Sequence, residues 1–137
     1  MQILQPAAWA RPRGYSNGVA TAGQLVFIAG QIGWNAEQRF EHQDLARQAE
    51  QALRNIVAVL AEAGGRPEHI TRLTWYLIDK RDYIAQAAQI GAAYRAVIGR
   101  HFPAMSAVQV SALIEDAALV EIEATAVIPP ENQANRP

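Results

Sequence analysis

Two glutamates separated by a single residue, Glu121 and Glu123, are the strongest chemical signal in the chain. They lie in a run whose other row, Ala118, Val120, Ile122, Ala124, Ala126 and Ile128, is wholly apolar. Side chains alternate between the faces of a strand, so both carboxylates project from one face, roughly 7 Å apart by the strand rise. One reading is a solvated strand face. The other is a half-buried carboxylate, because apolar residues flank the pair on both faces. Desolvation and a like-charged neighbour each raise a carboxyl pKa, which makes a glutamate a usable acid–base near neutral pH.

Tyr15, within Gly14-Tyr15-Ser16-Asn17, is either a packing anchor or a phenol laid over a small ligand. Trp34 and Trp75 belong either to a core or interface, or to the wall of an apolar pocket. His42, His69 and His101 fall in polar loops or element ends, and no two have the spacing of a metal pair. With no cysteine in the chain, neither a metal site nor a thiol nucleophile is expected. There is no G-x-S-x-G elbow. Gly30-Gln31-Ile32-Gly33 is too short and wrongly placed for a dinucleotide fingerprint.

The elements that must position these residues follow from periodicity. Residues 1–17, rich in Pro, Arg, Gly and Asn, read as an N-terminal arm or loop. Val19–Ala22 and Leu25–Ala29, split by Gly23-Gln24, read as a hairpin, the second run apolar on both faces like a central strand. Leu45, Ala49, Leu53, Ile56, Leu60 and Ala63 recur at helical steps between an Asp44 cap and a Gly64-Gly65 stop. Ile70–Ile78 reads as a strand and Asp79–Asp82 as a turn. A second helix follows, capped by Asp82, with Tyr83, Ala87, Ile90, Tyr94 and Val97 on one face. His101–Ile128 then gives two strands either side of a short acidic turn, so Met105 and Glu121 are expected on the same side of one sheet. The order is β-β-α-β-α-β-β, an α+β fold with two helices on one face of a mixed sheet. A single domain over residues 18–128 is expected, with a flexible tail over 129–137. The sheet's second face, lined by Leu119, Val127, Met105 and Tyr76, is bare in a monomer and calls for oligomerisation.

Composition narrows the function further. A formal net charge of −1 and no basic run with interleaved aromatics argue against a nucleic-acid partner. No apolar run approaches the ~20 residues of a membrane-spanning helix, and the start has no signal-peptide pattern. A cytoplasmic protein without a membrane partner is expected.

Several motifs together resemble the RidA/YjgF reactive-intermediate deaminase family. They are Gly14-Tyr15-Ser16-Asn17, Leu25 to Ile32, the Asp79 turn, His101-Phe102-Pro103-Ala104 with Ser106, and Val120-Glu121-Ile122-Glu123-Ala124. The resemblance spans about residues 13–128. It implies a chorismate-mutase-like fold, a homotrimer, and clefts between subunits that hydrolyse enamines and imines without a cofactor. It also implies roles for Tyr15 and Glu121 in catalysis and for Gly30 and Gln31 in substrate binding. This sequence departs from the family where an arginine should follow Pro103-Ala104: the residue is Met105. The family's frequent cysteine is Ala107, and its helical asparagine is Gly91. Met105, Ala107 and Gly91 are therefore the expected substrate-binding positions at which specificity has changed. Losing the guanidinium removes a forked carboxylate anchor, so the expected substrate is not the usual 2-aminoacrylate. The alternative is a non-catalytic trimer that binds a metabolite or a partner.

Overall fold

Strand β6 (Val120–Ile128) lies inside a four-stranded sheet of order β3-β6-β4-β5, with β3 at Gln24–Ile32, β4 at Ile70–Leu77 and β5 at Ala104–Gln109. The computed structural model describes residues 1–130; most of the expected tail, 131–137, lies outside the described residues. β6 runs antiparallel to both neighbours, whereas β5 runs parallel to β4. Helices α1 (Leu45–Glu62) and α3 (Ala87–Val97) pack together over one face, α1 also against β3 and β6. The result is the expected α+β sheet with its helices on one side.

The core follows from alternation meeting helical period. Val120, Ile122, Ala124, Ala126 and Ile128 of β6 are buried, as are Leu73, Trp75 and Leu77 of β4. They meet Ala49, Ala52, Leu53, Ile56 and Leu60, the apolar stripe of α1. The ends of α1 match their sequence signals. The Asp44 carboxylate accepts from Arg47 N–H at 3.2 Å, a cap worth about 1 kcal/mol. At the other end Gly65 N–H donates to Leu60 O and Gly64 N–H to Ala61 O, with Gly64 at φ +78°, which together form a Schellman stop.

Four expectations are corrected. First, β2 (Gly18–Ala20) does not pair with β3 but with β1 (Gln2–Leu4), so the N-terminal arm begins as a strand. Second, β3 is an edge strand, and its outward row is uncovered by described residues, with Leu25 60% and Phe27 76% exposed. Third, the second helix starts earlier and is interrupted. Asp79, not Asp82, caps α2 (Lys80–Ala85), and Gln86 separates it from α3. The Gln86 side chain is drawn across to α1, where its Oε1 accepts from the first-turn N–H of Ala46. Fourth, β5 and β6 are not a hairpin, because β4 stands between them. A strand, a helical crossover and a second strand naturally deliver parallel neighbours, and that unit here is β4-α2-α3-β5.

Candidate functional site

The fourth correction changes the site. In a ladder, paired residues share a face. Leu73 pairs with Met105 and Trp75 with Ala107, which puts Met105 and Ala107 on the helix side. Tyr76 pairs with Glu121 and Thr74 with Glu123, which puts both carboxylates on the open side. Met105 and Glu121 therefore sit on opposite faces, and β4 separates their strands. Met105 packs partly against the core and does not line the bare face. Val108, 46% exposed, joins Leu25 and Phe27 there. Leu119 likewise packs partly against the core, whereas Val127 shares its face with Leu25.

On the open face the two glutamates have different fates. The Tyr76 hydroxyl donates to Glu123 Oε1 at 2.6 Å, and this hydrogen bond to the charged acceptor pushes the phenol's pKa up. Glu121 is half-buried and has no hydrogen-bond or ion-pair partner among the described residues. Its carboxylate lies against Gly30: a Cβ at residue 30 would fall 2.7 Å from Glu121 Cδ and Oε2. The register of β3 on β6 slips between Ile28 and Gln31, so Ala29-Gly30 form a bulge beside that carboxylate. Bulges re-aim side chains and recur next to active sites. The Gln31 amide turns back onto Ala29 O at 3.0 Å. Tyr76, Val110, Ala112, Leu113 and Ile114 line a depression next to Glu121. Arg72 also faces the open side, where it borders a separate depression with Phe27 and Glu123.

On the helix side, Met105 and Gly91 line a cavity of about 440 Å³ with Trp75, Tyr83, Ile90 and Tyr94. The loop carrying Tyr15 is fastened beside it. Ser16 N–H donates to Pro103 O at 3.0 Å, and its hydroxyl donates to Phe102 O. That pinning brings Arg13 and Gly14 into the cavity wall, whereas Tyr15, the next residue, is exposed and does not line it. Phe102 stacks on Tyr94 with ring centres 5.8 Å apart. Tyr94 donates to His101 O and its pKa is pushed up by burial, so it serves as a donor and not as a base. Trp75 answers both earlier readings, being buried in the core and part of the cavity wall. Trp34 packs against Phe40 away from this cavity.

The predicted residues thus separate: Glu121 and Gly30 lie on the open face, and Met105, Gly91 and Ala107 on the helix side. Gln31, expected beside Gly30, pairs with Ile122 past the bulge and so turns to the helix side, where it borders a separate depression with Asn55 and Val59 of α1. Tyr15 is exposed next to Gly14 of the cavity wall. Sequence reasoning missed Gln48, which is buried in α1. Its Oε1 accepts from Leu119 N–H at 2.8 Å, while its amide donates to His42 O and Ala117 O. This clamp fixes the entry to β6, hence Glu121. A polar residue on the inner stripe of a helix was the available clue. Burial lowers the His69 pKa, and its Nδ1 accepts from Arg66 N–H, so this histidine is structural. Among the described residues no cluster of three or more His, Asp or Glu could hold a metal ion, and no helix is long and apolar enough to cross a membrane.

Fold and site define a small α+β protein whose four-stranded sheet carries helices on one side, with the candidate residues divided between its two faces. The family model described as Endoribonuclease L-PSP matches residues 5–128, and the chain belongs to that family. Among its relatives, a RutC family protein of Synechocystis is 35% identical over 136 residues, covering 94% of this chain and 98% of that protein. A 2-iminobutanoate/2-iminopropanoate deaminase of Escherichia coli is 35% identical over 108 residues, covering 77% of this chain and 80% of that protein. Among solved structures, the Rid family protein YyfB from Yersinia pestis superposes with a TM-score of 0.82 at 34% identity, covering 93% of this chain and 98% of that one.

Proposed function

We propose that this protein is a Rid-type hydrolase of an enamine, imine or related small C–N substrate, acting in clefts between the subunits of a homotrimer. Glu121 activates the water. Its carboxylate takes a proton as the water oxygen adds to the imine carbon. That proton passes to nitrogen, giving a carbinolamine; the carboxylate then takes the adduct's hydroxyl proton and delivers it to the amino group as the C–N bond breaks, so the oxygen stays as the carbonyl and both water protons leave on ammonia. No cofactor enters this balance. The reading rests on one observation: Glu121 is half-buried against Gly30 yet spends no lone pair on the protein, unlike Glu123.

The deaminase activity named for the Escherichia coli relative supports the reaction class. The exposed apolar residues Leu25, Phe27 and Val108 support assembly, since a bare sheet face of this kind marks an interface. Because Met105 and Glu121 lie on opposite faces of one sheet, a cleft using both draws them from different copies. The missing arginine at position 105 argues against 2-aminoacrylate as the preferred substrate. Ribonuclease chemistry, which the family description names, ranks lower because a polyanion calls for a basic groove and the formal net charge is −1.

The test is ammonia release from a panel of amino-acid-derived and neutral imines, by wild type and Glu121→Gln. At least one member should turn over, with Glu121→Gln slower by roughly 100-fold or more. Silence across the panel, or full activity in the variant, rejects the hydrolase. Ligand binding without any turnover favours the non-catalytic trimer.

A further inference from the structure

The helix-side cavity contains groups that the hydrolase reading leaves unused. Arg95 sits one turn beyond Gly91 on α3 and shares the cavity wall with it. Its guanidinium lies over the glycine: a Cβ at residue 91 would come within 3.3 Å of Arg95 Nη1. Arg13 enters the same wall from the pinned N-terminal loop. Neither arginine has an ion-pair partner among the described residues. A cation in the last turn of a helix complements the helix dipole, and that alone would explain Arg95 at this position. It does not explain why a second arginine, also without an ion-pair partner among the described residues, borders the same cavity from another part of the chain.

Behind the arginines the lining is aromatic and apolar: Tyr83, Ile90, Tyr94, Phe102 and Met105. Burial raises the pKa of both phenols, which keeps them neutral, so the only charges in the wall are positive. Deeper still is Trp75, 1% exposed, whose Nε1 is the one buried side-chain polar atom without a partner among the described residues. Orphaned donors of this kind call for an explanation.

We propose that this cavity takes a carboxylate bearing an aryl or similarly bulky apolar group, with the carboxylate on Arg95 and Arg13 and the apolar body between Tyr94, Phe102 and Met105. The inference deepens the hydrolase reading, on which its relevance to turnover rests, by naming the substrate class. The anchor lost at residue 105 is replaced from the helix and the loop, and it lies further out. Met105 and Gly91 leave room for a body that a small imine would not fill. The volume, about 440 Å³, is within the range of small-molecule sites, roughly 300–1,000 Å³. Methionine adapts its shape readily, so a shift of Met105 would let a ligand's carbonyl oxygen reach the Trp75 N–H.

The experiment uses the full chain with ¹⁵N-labelled tryptophan, titrated with phenylpyruvate, neutral 2-phenylacetamide and pyruvate. The Trp75 indole resonance is identified by its loss in Trp75→Phe. Phenylpyruvate should move it, with pyruvate and the amide at least about 10-fold weaker. Arg95→Met should weaken phenylpyruvate by a similar factor, and Arg95→Lys should recover part of it. Gly91→Leu, which fills the cavity from a helical position, should abolish the shift. Equal affinity for the amide, unchanged affinity in both Arg95→Met and Gly91→Leu, or a Trp75 signal that no compound moves would overturn the proposal. Glu121→Gln separates the two readings because it should bind phenylpyruvate normally while releasing no ammonia. Binding without turnover of any imine leaves this proposal standing and removes the hydrolase. Turnover with a KM indifferent to Arg95→Met does the reverse.

Discussion

Glu121 and Glu123 share residue type, strand and face, yet their neighbours across the sheet give them different chemistry. Glu123 holds Tyr76 through a short hydrogen bond, which orients both side chains and occupies a lone pair. Glu121 instead leans over a residue with no side chain, so its oxygens stay available to water. Alternation in the sequence was enough to find the pair and its face. It could not choose between them, because the choice depends on Tyr76, 47 positions away, and on the bulge at Ala29-Gly30. Gly30→Ala tests this directly. The added methyl would sit 2.7 Å from the carboxylate, and what yields is the free end of a flexible side chain. Stability should therefore change by less than about 1 kcal/mol. Turnover should fall roughly 100-fold, because a displacement near 1 Å is enough to spoil catalytic geometry. Thermal melts beside kcat decide it: a variant with unchanged kcat would mean that the position of Glu121 is not critical.

The elements were more legible than their pairing. Helical periodicity with Asp44 and Gly64-Gly65 marked α1, and alternation marked β4 and β6, because those signals are local. Pairing partners are set by distant residues. The acidic turn looked like a hairpin loop, but the helical crossover brought β4 between β5 and β6, and that insertion moved Met105 to the helix side. Gln48 shows the same limit on a smaller scale. Within α1 it reads as a polar interruption, whereas in the fold it closes three backbone bonds to the segments flanking the helix and β6. Gln48→Met keeps the volume and the helix propensity but strands the Leu119 N–H and two carbonyls. The cost should be about 2–4 kcal/mol, since each buried group left unpaired loses its share of solvation. Urea unfolding should show a lower midpoint with unchanged m. A loss below about 1 kcal/mol would mean that solvent reaches those groups and that the clamp does not fix the start of β6.

For the whole molecule, the division of the site between two faces leads to a prediction that no single chain can satisfy. Glu121 and Gly30 face one way, and the cavity of Met105, Gly91 and Arg95 faces the other. Strands lie about 4.8 Å apart, so from β6 across β4 to β5 is roughly 10 Å laterally, with the sheet itself between the two sides. A small substrate spans that distance only if one copy offers the carboxylate and its neighbour the cavity, as in a heterologous ring. Such a ring also covers Phe27 and Leu25, which no described residue of the same chain protects. Two inactive variants should then rescue one another. Glu121→Gln keeps the cavity and loses the base, whereas Gly91→Leu keeps the base and fills the cavity. In the proposed trimer, assembled from equal amounts of both, about a quarter of the clefts would pair an intact base with an intact cavity, given random mixing around a closed ring. Co-refolded mixtures should therefore recover close to a quarter of wild-type ammonia release, while either variant alone recovers none. Mixing already folded trimers should restore nothing until subunits exchange. If co-refolded mixtures remain as inactive as their parents while wild type turns over, each cleft is built from one chain, and the two-face arrangement is not how this protein works.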